Sequence, residues 1–412
     1  MLELAKNVKV TFIPTRKYKH ITYAFKFIRP YEQKYHLAGV CLSDIIGEYS
    51  VQYPTKEKMA SIKNMLYGNT VDAYRQLSFG TETFTYNYQF LNPKFTSDMT
   101  YADQCRYIKE TLFNPLFTEN LLDEFKRLYI ARILRKLEDP MFISKQRTIA
   151  IIGEDNHLKN ALADRRDLLP SLDLDLLKES YRSLIEDSTI YMYVIGDIDE
   201  AVLSQEFKQF GFKDREQTKL DRNKLTLKDF GMIEESKEMS QSYLRVIYET
   251  TYSNETDDYY KWMMMDAFLG VVPNSLLFTE VREKRSLCYS INSQIYKGEG
   301  LSLISSAISY KDQAEIVRLT DECIKMIAEK NFKEQEFNAA KQYMINNLLS
   351  IRDDAKSYLN FLHNQDVLNK DQSIEDIVDL ISKVTVDDIA EVAKTYKRRL
   401  VYVLRGTQDG NN

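Results

Sequence analysis

The 412-residue chain has only four histidines, four cysteines, eight prolines and thirteen glycines. So little glycine and proline argues against repetitive or disordered tracts. The cysteines, Cys41, Cys105, Cys288 and Cys323, are scattered and form no C-x-x-C pair. That pattern fits reduced, mostly buried thiols in a cytosol and no disulfide framework. No apolar run is long enough to span a membrane, since about 18 residues are needed. The first residues, MLELAKNVKVTF, lack an apolar signal core, so a cytoplasmic location is expected. A net charge of −5 without a basic arm gives no reason to expect nucleic acid. The signatures of a self-sufficient serine or cysteine hydrolase, G-x-S-x-G, S-x-x-K or a Cys/His arrangement, are also missing.

With 44% hydrophobic and 28% charged residues, the chain reads as soluble and globular. Its length suggests about two or three domains. Alternation of apolar residues predicts strands at 8–14, 21–27, 69–78 and 80–91, with Phe84, Tyr86, Tyr88 and Phe90 sharing one face. Helices are predicted near 35–48, 55–67, 99–114, 119–138, 141–153 and 171–186, before the unbroken apolar strand Thr189 to Ile195. Residues 213–229 are charged and poor in large apolar side chains, and read as a linker.

Beyond the linker the same order restarts. A strand at 242–249 precedes a helix at 256–270, a helix-to-strand segment and a strand at 301–309. Helices follow near 311–329, 332–351, 354–367, 373–382 and 386–395, and Leu400 to Leu404 forms a last buried strand. The predicted fold is therefore α+β, two tandem copies of one domain at 1–215 and 216–412. Each copy should pack helices on one face of a mostly antiparallel sheet.

The helix-to-strand segment is where chemistry could sit. An apolar helical run from Ser275 to Val281 ends in Arg282, and strand periodicity then places Leu287, Tyr289, Ile291, Ser293 and Ile295 on one face. Arg282 and Tyr289, seven residues apart, could aim a guanidinium and a phenol at one point. Such a pair suits a carboxylate or the oxyanion of an attacked peptide carbonyl. The structural alternative is an arginine complementing the helix dipole and a tyrosine buried in the core. Cys288 should face away from Tyr289 and carry no catalytic role.

The segment VREKRSLCYS, the duplication and FNPLFTENLLDEFKRLYIARI (113–133) together resemble the pitrilysin/insulinase family of zinc metallopeptidases. The resemblance covers nearly the whole chain and carries the family's R-x(6)-Y pair onto Arg282 and Tyr289. Active members hold zinc with H-x-x-E-H in the first copy. Here the matching helix reads HLAGVCLSDII (36–46), with Cys41, Asp44 and Ile45 near the motif positions. The four histidines, His20, His36, His157 and His363, include no pair at ligand spacing. Lys126 to Lys136, where a third ligand would fall, holds Arg127, Arg132 and Arg135 but no carboxylate. His36 and Cys41, five apart, diverge on a helix, and His36 reads as a partly buried surface histidine.

The resemblance is thus to the non-catalytic, YmfF-like bacterial members. It implies no zinc or other cofactor in this chain, and a heterodimer with a homologous subunit that carries H-x-x-E-H and the zinc. This chain would help enclose an unfolded peptide substrate and supply Arg282 and Tyr289 in trans. The alternative is an inactive structural or peptide-binding homologue, possibly a homodimer, that takes no part in hydrolysis.

Overall fold

The computed structural model describes residues 2–78, 80–220, 224–255 and 258–408. Parts of two expected elements, 221–223 of the linker and 256–257 of the following helix, lie outside the described residues. The first half holds β1 (Leu2–Ala5), β2 (Val8–Pro14), β3 (His20–Pro30), α1 (His36–Ile45), α2 (Lys56–Met65), β4 (Thr70–Ser78) and β5 (Thr81–Leu91). Then come α3 (Tyr101–Phe113), α4 (Glu119–Lys136), α5 (Pro140–Ile152), α6 (Leu174–Asp187), β6 (Thr189–Gly196) and α7 (Glu200–Lys208). The second half opens with β7 (Gly231–Lys237), β8 (Ser242–Glu249), α8 (Tyr259–Asp266), β9 (Cys288–Tyr296) and β10 (Leu301–Ile308). It ends with α9 (Gln313–Ala328), α10 (Glu334–Ser350), α11 (Ala355–Leu368), α12 (Ile374–Lys383), α13 (Val386–Lys394) and β11 (Lys397–Gly406).

One sheet runs β1-β2-β6-β3-β5-β4 and the other β7-β11-β8-β10-β9. Without β1 the two orders correspond strand for strand. Among the described residues each sheet has one parallel pair, β2 with β6 and β7 with β11. The expected duplication is therefore present, and Val194 and Val403 lie in corresponding last strands, β6 and β11. Sequence periodicity missed β1 and β7. LELA is too short to show alternation, and GMIEESK is mostly polar; both are edge strands, defined by their neighbours.

By proximity the chain forms two compact units, each of three segments. The first comprises Met1–Ile133, Asp164–Asp221 and Arg352–Lys370; the second comprises Leu134–Ala163, Arg222–Ile351 and Asp371–Asn412. A cut at 215/216 assigns most elements to these units, but α5 belongs with the second sheet and α11 with the first.

Strand alternation explains why each sheet takes an extra helix. In the first unit Tyr23, Phe25 and Phe27 of β3 are fully buried, and Phe207 of α7 packs on Tyr23 and Phe25. Each such side chain contributes about 1.5–3 kcal/mol of burial. The opposite parity of β3 needs its own cover. Ala24 joins Tyr193 and Ile195 of β6 against Ala355 and Leu359 of α11. In the second unit Ile247 of β8 and Leu301 and Leu303 of β10 pack on Ile149 and Ile152 of α5.

A buried cation accompanies each exchanged helix. Lys26 of β3, 2% exposed, donates to the Asn360 side-chain oxygen on α11 at 2.5 Å, and the Tyr74 hydroxyl donates to the same oxygen at 3.1 Å. Arg245 of β8, 6% exposed, donates to the Ser144 hydroxyl at 3.1 Å and the Met141 carbonyl at 2.9 Å on α5, and to the Ser305 hydroxyl on β10. Burial pushes the Lys26 amine down from 10.5 to about 7. Between those values the unfolded chain binds a proton that the native chain does not. The stability tied to this amine is therefore full above about pH 10.5 and lost as pH falls towards 7. Wild type should gain on the order of a few kcal/mol relative to Lys26→Met as pH rises from about 7 to 10. Parallel stability–pH curves for the two proteins would reject this account.

Candidate functional site

The helical segment after Pro273 starts at Leu276, and its last turn, Phe278–Glu283, is wound as a π-helix. Leu277 and Val281, four apart, are fully buried and fix the inner face, leaving Arg282 half-buried at the outer end. The chain leaves through Ser286, a non-glycine residue at φ 54°. This turn is held by the Ser286 N–H on the Arg282 carbonyl at 2.9 Å and the Leu287 N–H on the Val281 carbonyl at 3.2 Å. Strand β9 begins two residues beyond Ser286 and forms the edge of its sheet.

The pairing of β9 with β10 slips once. Ala307 faces Ser290, but Ile308 faces Cys288, so Tyr289 is the extra residue of a β-bulge. A bulge re-aims a side chain. Tyr289 is 79% exposed, although strict alternation put it on the same face as Ile291, which is buried. The core reading of Tyr289 is therefore corrected. Cys288 is half-buried, and burial raises its thiol pKa.

The structure brings Arg282 and Tyr289 together. The guanidinium carbon lies 5.6 Å from the Tyr289 ring centre and 4.6 Å from that of Phe278. These are cation–π distances. Neighbouring cations are already engaged: Lys284 and Arg285 both pair with Glu280, at 2.6 and 2.9 Å. Among the described residues no acceptor bonds the Arg282 guanidinium and no partner bonds the Tyr289 hydroxyl. Sequence reasoning missed Phe278, although its i, i+4 spacing from Arg282 was a readable signal.

Strand β9 is anchored from beneath. A Cβ at Gly270 would lie 2.7 Å from Ser293, so only glycine lets the π-helical turn Ala267–Val271 sit on the strand. Ser293 donates to the Asp266 carbonyl at 3.1 Å, and Ser302 to the Asp266 carboxylate at 2.8 Å. Burial pushes the Asp266 carboxyl up from 3.8 to about 6.

The first-copy helix α1 is arranged otherwise. His36 is buried, not a surface residue as expected, and its Nδ1 lies 3.1 Å from the Tyr31 hydroxyl. Burial, with Arg75 and Arg165 nearby, lowers its pKa from 6.5 to about 3. Cys41 is fully buried, and its thiol is pushed up by burial and by Asp44. Asp44 is paired with Arg132 of α4 at 2.8 Å. Where the family resemblance would put a metal between α1 and α4, the chain has a carboxylate–guanidinium pair. Residues on β4 and β5 seat the helix. A Cβ at Gly39 would meet Arg75 Nε and Phe84 Cζ at 3.0 Å, and Arg75 and Arg29 share the buried Glu82 carboxylate. Among the described residues no group of three or more His, Cys, Asp or Glu side chains is placed to hold a metal. The donor set on α1, a high-pKa thiol and a carboxylate already paired with an arginine, does not fit zinc.

Comparison with known proteins finds relatives named as inactive peptidases. The family description "Peptidase M16 inactive domain" matches residues 171–344. A Bacillus subtilis protein named "Probable inactive metalloprotease YmfF" is 24% identical, covering 96% of this chain and 95% of its own. A Helicobacter pylori protein named "Non-peptidase homolog YmxG" is 22% identical over 70% of this chain and 68% of its own length. The crystal structure of a conserved protein from Enterococcus faecalis V583 superposes with a TM-score of 0.92 at 22% identity, covering 99% of both chains. Among the described residues no helix is long and apolar enough to cross a membrane.

Two outcomes are expected. Elemental analysis of the dialysed chain should find far less than one zinc per chain; a tetrahedral zinc on α1 would restore a catalytic reading. The raised Asp266 pKa means the native carboxyl keeps a proton that the unfolded chain loses between pH 3.8 and about 6. Its stability contribution is therefore full below that window and lost as pH rises through it, by about 3 kcal/mol. Denaturation curves should show Asp266→Asn gaining on wild type across this window. An unchanged difference would contradict the assignment.

Proposed function

As a homologue of the M16 (pitrilysin/insulinase) peptidases without H-x-x-E-H, this chain serves, we propose, as the non-catalytic subunit of a heterodimeric zinc peptidase. In this reading it helps enclose an unfolded peptide and presents Arg282 and Tyr289 to a zinc site on a homologous partner chain. The observation that carries it is the uncommitted pair itself. Among the described residues a guanidinium with no hydrogen-bond acceptor and a phenol hydroxyl with no partner stand side by side at an exposed sheet edge, while the adjacent cations are both engaged by Glu280. A cytoplasmic location is part of this reading, in keeping with four scattered cysteines that the structure leaves as free thiols.

The roles follow from charge development. Zinc bound to the partner would supply the activated water. As a peptide carbonyl becomes tetrahedral, its oxygen gains negative charge, and a preplaced donor stabilises that charge more than the ground state. Tyr289 would donate its O–H to this oxygen. Arg282 would hold the peptide by its planar fork, with Phe278 and Tyr289 limiting its freedom. The bulge is what turns the hydroxyl outward, where a bound peptide could receive it.

The test mixes this chain with its H-x-x-E-H homologue and measures hydrolysis of unfolded peptides. Alone, this chain should cleave nothing above background. Tyr289→Phe keeps the ring under Arg282 and removes only the hydroxyl. With the partner present its kcat should fall about 10²–10³-fold, with an unchanged melting temperature. Arg282→Lys should also slow the reaction, because an ammonium cannot reproduce the fork. Full activity in both variants would leave the chain a scaffold or peptide-binding homologue.

A further inference from the structure

The two buried cations beneath the exchanged helices differ in one chemical respect. Lys26 can shed its proton and sit neutral beside Asn360. Arg245 cannot deprotonate. Its guanidinium is surrounded by two hydroxyls and a carbonyl, and among the described residues no carboxylate pairs with it. Asp139 attracts it through space without bonding to it, so its direct partners are all neutral, and a fixed charge buried in this way is costly.

Arg245 also lines a groove of about 430 Å³. The groove is bounded by α5 on one side and by β9 on the other, with Lys145, Tyr243, Asn292 and Gln294 on its walls. Across the strands Arg245 pairs with Ser305, and Ser305 with Asn292. A single row therefore leads from the buried cation to the sheet edge. Alternate residues of β9, Ser290, Asn292 and Gln294, face the groove, beginning one residue after Tyr289. Asp139 also lines it, but its carboxylate caps α5 by accepting from the Met141 N–H at 2.9 Å.

We propose that this groove binds a carboxylate carried by an extended polypeptide, with Arg245 as the floor cation and Lys145 as the wall cation. An extended chain is the form that matches an edge strand whose alternate side chains line the site. The proposal rests on the peptide-handling reading above and adds a substrate preference: acidic residues near the bond that Tyr289 addresses. It differs from that reading in needing neither zinc nor a partner.

The experiment measures fluorescence anisotropy of three labelled short peptides with the intact chain alone. The first has a central Glu and an amidated end, the second a central Gln and an amidated end, and the third a central Gln and a free carboxyl end. The Glu peptide, the free-carboxyl peptide or both should bind at least about tenfold tighter than the fully neutral one at low salt. Which of the two does so identifies a side chain or a chain end as the source. Lys145→Gln should narrow the ratio. Asn292→Asp, on the exposed strand and outside the core, places a carboxylate at the end of the Arg245 row and should abolish the preference. Arg245→Gln should do the same where it folds. Equal binding of all three peptides, or a preference that survives Asn292→Asp with an unchanged melting temperature, would overturn the proposal. If hydrolysis with the partner depends on Tyr289 but the peptides bind equally, only the groove assignment fails. If the preference is present but Tyr289→Phe is fully active, only the shared-site reading fails.

Discussion

A sheet in water has two faces to cover, and the structure depends on how the second one is covered here. In each unit the main helical layer covers one parity of the strands, and one helix from the other half of the chain covers part of the other. The covering is mixed in character. Apolar contacts such as Ala24 with Leu359 carry the burial, while a cation reaches up from the strand to polar atoms on the helix. Hydrogen bonds from a charged donor contribute about 1.5–3 kcal/mol each, but burying the charge offsets much of that, so they add register more than affinity.

The candidate site is shaped by irregularity. Without the bulge at Tyr289, the residue would turn inward with Ile291. The π-wound turn places Arg282 over Phe278, and the left-handed Ser286 turns the chain from helix into strand. Such departures from regular geometry concentrate at functional sites. On α1, by contrast, the positions matching the metal motif have been absorbed into ordinary packing. Cys41 is core, His36 is buried beside Tyr31, and Asp44 bonds Arg132.

Strands and helices with strong periodicity were legible from sequence, because burial on one face writes itself into alternation. The duplication was legible for the same reason. β1 and β7 were not, since an edge strand takes its pairing from a neighbour and needs no apolar face of its own. Arg282 and Tyr289 could be named from spacing and resemblance. Their contact, and the exposure of Tyr289, depend on a register slip that no local pattern announced. The exchange of α5 and α11 was equally hidden, because an amphipathic helix shows that it has a partner without showing which.

That exchange also bears on how the protein is made. Lys26 waits for Asn360, 334 residues further along the chain. At synthesis rates of about 5–20 residues per second, the delay is roughly 20–70 seconds. The first sheet is complete only once β6 has been made at Gly196, and from then it keeps one face uncovered until α11, which begins at Ala355, emerges. A nascent chain with this architecture therefore carries an uncovered sheet, open to wrong pairing, through much of the making of its second half.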